Sequence, residues 1–164
     1  METLETDKYN LGKDIVLKKL NPIGKKYHKL YVEMAESAAK QSKAVRRKVG
    51  AVIVLPTGII AIGWNGTPAG FNNVCEWQCE DGKGYDTGTT KPEVIHAERN
   101  ALDKLTRQGV STEGAILFVT TAPCIECAKS LAAVGVAEVY YDVVQSNTFG
   151  LDFLDKAGVK TFKY

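Results

Sequence analysis

The sequence predicts an α/β fold, and three observations carry the prediction. From His96 onward, strand-like and helix-like runs alternate, the pattern expected of parallel strands joined by crossover helices. Before that, two apolar runs at residues 49–55 and 59–64 flank the turn Pro56-Thr57-Gly58 and read as a hairpin. Ahead of the hairpin, Tyr27, Leu30, Tyr31, Met34, Ala35 and Ala38 recur at helical spacing and form one apolar stripe.

Size and composition bound the alternatives. A chain of 164 residues suits one domain with a full core. Its 45% hydrophobic and 24% charged residues are ordinary for a globular protein, and a net charge of +2 is too small to argue for a nucleic-acid or membrane surface. No apolar run is long enough to span a bilayer, and the acidic start Met1-Glu2-Thr3-Leu4-Glu5-Thr6-Asp7 lacks the apolar core of a signal peptide, so a cytoplasmic location is expected. Residues 1–24 read as an N-terminal arm that ends in the turn Asn21-Pro22-Ile23-Gly24, and residues 25–164 as a single domain.

In order, the domain opens with the helix from Lys25, followed by a basic turn at residues 40–48. The unbroken apolar character of the two hairpin strands suggests cover on both faces. A long glycine-rich irregular segment runs from Gly63 to about Glu93 and leads into His96; loops of that length inside a domain are usually functional. A helix begins at His96, with Ala97, Ala101, Leu102 and Leu105 on one face and Gly109 as its stop. Residues 115–121 form the next strand. Cys124 opens another helix, with Cys127, Ala128, Leu131 and Ala132 sharing a side, followed by a strand at 136–144, a short helix at 151–158 and a last strand at 159–164.

The chemistry concentrates at two of the helix starts. His96-Ala97-Glu98 and Pro123-Cys124-Ile125-Glu126-Cys127 together offer one imidazole, two thiols and one spare carboxylate. Three nitrogen and sulfur ligands with an open fourth position describe a catalytic zinc. The two cysteines lie three apart, so one helical turn brings their sulfurs to the same side. Pro123 suits the first helical position, where its missing N–H costs nothing. Glu98 is placed to handle a proton on a zinc-bound water, whose pKa falls from about 15.7 to roughly 7 in such sites. Other uses of these residues remain open. The four cysteines Cys75, Cys79, Cys124 and Cys127 could pair as disulfides, although reduced thiols fit a chain without a secretory signal. A structural zinc would recruit a fourth ligand from Cys75, Cys79 or His28, the only other histidine.

H-x-E followed by P-C-x-x-C is the signature of zinc-dependent nucleobase deaminases. Over residues 42–164 the chain resembles the cytidine and deoxycytidylate deaminase superfamily, and its deoxycytidylate branch most closely. Three features carry this resemblance. Val49-Gly50-Ala51-Val52-Ile53-Val54 leads into Gly63-Trp64-Asn65-Gly66, which is similar to a Gly-Tyr-Asn-Gly segment of that branch. A long insert separates it from His96-Ala97-Glu98-Arg99-Asn100-Ala101, and Pro123-Cys124-Ile125-Glu126-Cys127-Ala128-Lys129 follows.

The resemblance implies a three-layer α/β/α sandwich around a mixed five-stranded sheet. It implies hydrolytic deamination of dCMP to dUMP and ammonia, which supplies dUMP for thymidylate synthesis. One catalytic Zn²⁺ would sit on His96, Cys124 and Cys127, with Glu98 as the catalytic proton shuttle. Asn65, Ser42, Arg46, Ala97 and Tyr141 would bind the nucleotide, with Arg47, Lys48 and Lys129 as weaker candidates. Gly63, Trp64, Asn65 and Gly66 would lie near an effector site for dCTP with Mg²⁺ as activator and dTTP as inhibitor, Trp64 standing in place of the usual tyrosine. A homo-oligomer, a hexamer in the first instance, is expected, with no nucleic-acid or membrane partner. Some relatives carry a second zinc in the insert; with so few histidines here, Cys75 and Cys79 are expected to be free of metal. Alternatives are a tRNA-adenosine, guanine or riboflavin-pathway deaminase of the same superfamily, and a zinc-stapled binding module without activity.

Overall fold

The computed structural model describes residues 23–164, so the predicted arm lies outside the described residues except for Ile23 and Gly24. A single 3-10 turn, Lys25–Tyr27, leads into helix α1 (His28–Ala39). The buried stripe on α1 is narrower than the spacing predicts. Tyr31, Ala35 and Ala38 are buried, whereas Leu30 stays half exposed. Tyr31 and Ala35 pack on Val52, Val54, Ile116 and Phe118.

Strand β1 (Gly50–Val54) pairs antiparallel with β2 (Ile60–Trp64), with Gly50 opposite Trp64. On its other side β1 pairs antiparallel with β5 (Ile116–Thr121). Parallel pairing then carries the sheet on to β6 (Glu138–Val143) and β7 (Lys160–Lys163). The resulting order β2-β1-β5-β6-β7 is the mixed five-stranded sheet the sequence led us to expect. Alternate residues of each strand serve opposite faces. Ala51, Ile53, Leu117, Val119 and Val139 join the larger core beneath helices α2 (Ala97–Arg107), α3 (Ile125–Ala133) and α4 (Phe149–Lys156). Val52, Val54, Ile116 and Phe118 face α1. Cover on both faces therefore holds for β1, which is buried throughout, and is partial for β2, an edge strand in which Ala61 and Gly63 are buried, Ile62 packs against the α1-side core and Ile60 is exposed.

The segment between Gly66 and Ile95 is not structureless. It contains a two-stranded antiparallel sheet of β3 (Glu76–Gln78) and β4 (Tyr85–Thr90). The sequence concealed it because Tyr85-Asp86-Thr87-Gly88-Thr89-Thr90 has no apolar alternation. Reciprocal hydrogen bonds between Gly66 and Ile95, at 3.1 and 2.9 Å, close the base of this insert one residue before His96. Among the described residues no helix is long and apolar enough to cross a membrane.

Candidate active site

His96 and Cys124 occupy equivalent places. Each is the N-cap of its helix, α2 and α3 respectively, with extended backbone (ψ 155° and 169°). Cys127 lies in the first turn of α3, on the side that faces His96. His96 Nδ1 is 3.5 Å from Cys124 Sγ and 3.4 Å from Cys127 Sγ. Among the described residues these three side chains form the one group of potential metal ligands, their donor atoms all within 4.8 Å of one another. A tetrahedral zinc with Zn–N of about 2.0–2.1 Å and Zn–S of about 2.3 Å holds its nitrogen and sulfur ligands roughly 3.6 Å apart. The observed separations meet that requirement, so the donor set fits zinc in both chemistry and spacing. Helix starts also favour thiolate, since the unpaired N–H groups there carry partial positive charge.

The hydrogen bond between the two thiols moves them in opposite directions. The hydrogen bond from Cys127 pulls Cys124 down to about 3, and His96 adds to this. The same bond, with burial, pushes Cys127 well up. The bond to Cys124, against some opposition from burial, raises His96. Glu98 is 4% exposed, and burial pushes its carboxyl up to about 7 against the opposing influence of a backbone hydrogen bond and His96. A buried acid poised near neutrality beside a group of potential metal ligands is the arrangement expected of a proton carrier.

A cavity of ≈ 160 Å³ is lined by His96 of this cluster and by Glu98. Its lining brings together His96, Glu98 and Ala97 with Asn65, Arg46 and Arg47, as the sequence anticipated. It also includes Val49, Thr90, Val94, Thr121 and Gln145, which sequence reasoning missed. Thr121 ends β5 and Gln145 follows β6. In α/β sheets ligands sit outside the carboxyl ends of the parallel strands, and that rule could have found both. Thr90 and Val94 come from the insert and carried no signal.

Several predicted residues are placed elsewhere. Ser42 does not line the cavity; it is 1% exposed, and its hydroxyl donates to the Asn65 carbonyl at 2.8 Å and accepts from Ala44 N–H at 3.2 Å. Tyr141 shares the strand face of Val139 and packs against the larger core. Lys129 is occupied by Glu126 at 2.6 Å. Gly63 lies under the first turn of α2, where a Cβ would collide with the Ala97 carbonyl and the Ala101 N–H. Trp64 packs beneath Lys104, whose Nζ is 4.8 Å from the ring centroid. Pro123 precedes the N-cap instead of occupying the first helical position, and its carbonyl touches Gly150 of α4. His28 is on the opposite face of the sheet, edge-on to Phe118 and Tyr140, and cannot complete the metal set. All four cysteines are free, and Cys75 and Cys79 lie outside the cluster. The donor set is therefore three residues among those described, which leaves a bound zinc a position for water.

Asn65 lines the cavity, yet much of its amide serves the fold. Its Oδ1 accepts from Val49 N–H at 2.8 Å, and its Nδ2 donates to the Arg47 carbonyl at 2.8 Å.

Comparison with known proteins agrees with this geometry. Residues 25–143 match the profile of the cytidine and deoxycytidylate deaminase zinc-binding region. The deoxycytidylate deaminase of Schizosaccharomyces pombe is 38% identical over 144 residues, which is 82% of this chain and 42% of that protein, so the chain spans under half of that relative's length. The deoxycytidylate deaminase of Enterobacteria phage T4 is 33% identical over 166 residues, covering 80% of this chain and 86% of the phage protein. Among solved structures, the dCMP deaminase from the cyanophage S-TIM5 in complex with dCMP and dUMP superposes with a TM-score of 0.75 at 42% identity, covering 85% of this chain and 98% of that one.

Proposed function

Because the chain belongs to the cytidine and deoxycytidylate deaminase family, we propose that it hydrolyses the exocyclic amino group of dCMP, giving dUMP and ammonia. One observation carries this reading: His96, which belongs to the His96–Cys124–Cys127 cluster, and the buried Glu98 line the same cavity as two arginines. Zinc held by the three ligands would make a bound water acidic enough to act near neutral pH. The protein's own part is proton handling and positioning. Glu98 takes a proton from the attacking water and delivers it to the ring nitrogen next to the reacting carbon. It then carries the second proton to the amino group, the carbon–nitrogen bond breaks, and ammonia leaves. Burial suits Glu98 to this work, because a carboxyl near neutrality can both accept and give. Ala97, beside the cluster, lies against the base. Arg46, with Arg47 next to it, meets the phosphate, for which a guanidinium fork is well matched.

Incubation of the purified protein with dCMP, followed by ultraviolet absorbance, tests the reaction. Conversion to dUMP is expected, and Glu98→Gln should lower kcat by about 10²–10⁴ while retaining zinc. No turnover of dCMP, or full activity in Glu98→Gln, would remove this reading.

Regulation belongs to the same family reading: activation by dCTP with Mg²⁺, inhibition by dTTP, and assembly into a hexamer. What supports it in this chain is the position of residues 63–66, where the end of edge strand β2 runs through Asn65, which lines the cavity, to Gly66 at the base of the insert. Rates that stay hyperbolic in dCMP and indifferent to dCTP count against it.

A further inference from the structure

Glu76 is 2% exposed, the one fully buried acid outside the active site among the described residues. It stands at the start of β3, in the insert, far in sequence from the loop it touches. Its Oε2 accepts from Val45 N–H and its Oε1 from Arg46 N–H, both at 3.1 Å. Two successive main-chain N–H groups form a concave donor pair that suits an anion, and a charged acceptor strengthens both bonds. From the other side, Asn65 grips the same loop at the Arg47 carbonyl and the Val49 N–H. Between Ser42 and Val49 the chain has no helix or strand of its own. The backbone that carries Arg46 and Arg47 is thus held by two side chains, one from the insert and one from the β2 turn.

Burying a carboxylate is costly, and apolar packing would serve stability as well or better. We propose that Glu76 is a positioning residue for substrate phosphate: it fixes the backbone of Arg46 so that the guanidinium groups of the loop meet the anion already ordered. This inference rests on the proposed reading of a nucleotide monophosphate bound through Arg46. Because both carboxylate oxygens are turned inward onto main-chain N–H groups, Glu76 orders the loop without presenting its charge to the phosphate.

The test is steady-state kinetics with dCMP on the zinc-loaded enzyme, comparing Glu76→Gln, Arg46→Ala and the double variant. In Glu76→Gln the amide NH₂ group meets an N–H donor, so one clasp is lost with little change in volume. The expected result is a KM raised by about tenfold with kcat within about twofold. The double variant should have a KM no higher than that of Arg46→Ala alone, because Glu76 acts through Arg46. An unchanged KM in Glu76→Gln, or a full further rise in the double variant, overturns the proposal. A parallel drop in kcat and zinc content would mark a merely structural residue and overturns it too. If Arg46→Ala itself leaves KM unchanged, the phosphate reading fails and this inference goes with it; if only Arg46→Ala raises KM, Glu76 alone has failed. Should Glu76→Gln not fold, amide hydrogen exchange in the wild-type protein decides. Val45 and Arg46 should be protected, and more so with saturating dUMP; rapid exchange, or protection indifferent to dUMP, overturns the proposal.

Discussion

Gly63 in β2 lies directly against the Ala97 carbonyl in the first turn of α2. The helix that begins at His96 can approach the sheet this closely only because the residue beneath it has no Cβ. Gly50 plays the same part under α1, against the Ala35 carbonyl. One sheet glycine under each of these two helices sets their heights, and α2 carries Glu98 and starts at its N-cap His96. Gly63→Ala should therefore destabilise the fold by about 1–3 kcal/mol, the usual cost of overpacking, and lower zinc affinity by displacing His96. Urea unfolding and a competitive zinc titration check the two effects. Wild-type values for both would show that α2 can shift without consequence.

Asn65 offers a second structural test at the cavity. Asn65→Ala removes the partners of Val49 N–H and the Arg47 carbonyl, and leaving such groups unpaired costs about 1–3 kcal/mol. Asn65→Asp keeps an acceptor for Val49 but turns an oxygen toward the Arg47 carbonyl. Both variants should raise KM for dCMP, and urea unfolding should rank alanine as the less stable. An alanine variant with wild-type stability and KM would show that the loop holds itself.

The fold was legible wherever periodicity was strong. Val52, Val54, Phe118 and Val119 announced buried strands, and the alternation after His96 announced the crossovers. The β3–β4 hairpin was not legible, because its strands are polar, short and held by backbone pairing. The edge position of β2 was hidden as well, since pairing order is a tertiary property that Ile60 and Ile62 do not encode locally.

At the site, a spacing of three made Cys124 and Cys127 readable as a pair, because that is a local geometry, and the His-x-Glu motif marked His96. Ser42 and Tyr141 were less legible: the structure turns the Ser42 hydroxyl onto the Asn65 carbonyl and packs Tyr141 against the larger core. Which way a side chain faces depends on strand parity and on partners distant in sequence. Glu76 escaped notice for the same reason: its partners lie 30 and 31 residues away.

Metal content should be one zinc per chain. Cys127→Ser should lose it and Cys75→Ser should not, because the cluster of potential ligands contains the first and excludes the second. A chelator should abolish activity, and added Zn²⁺ should restore it. Removal should also lower the unfolding midpoint, since the ligand ties the starts of α2 and α3 together in the native state only. Elemental analysis is the direct check; two zincs per chain would place a second metal in the insert.

Two tyrosines contribute to a loss of stability in alkali, alongside Tyr31 and Cys75, which burial also raises. Burial, then the hydrogen bond and charge of Glu138, push Tyr140 up to about 12, and its hydroxyl donates to Glu138 at 3.0 Å. Burial, then Asp142 and Glu36, push Tyr164 up to about 12, and its hydroxyl donates to the Val119 carbonyl at 3.2 Å. Tyrosine in the unfolded chain titrates near 10. Below pH of about 10 both states are protonated and the two residues give no pH dependence. Between about 10 and 12 the unfolded chain releases protons that the native state keeps, so stability falls as pH rises. Lys104, which burial lowers, acts in the opposite direction, so the comparison must be made between variants that retain it. Tyr140→Phe with Tyr164→Phe should flatten the decline in urea midpoint between pH of about 9.5 and 11.5. Both rings are partly open to solvent, and the flattening will be correspondingly modest. An identical decline in the double variant would assign alkaline unfolding to other groups.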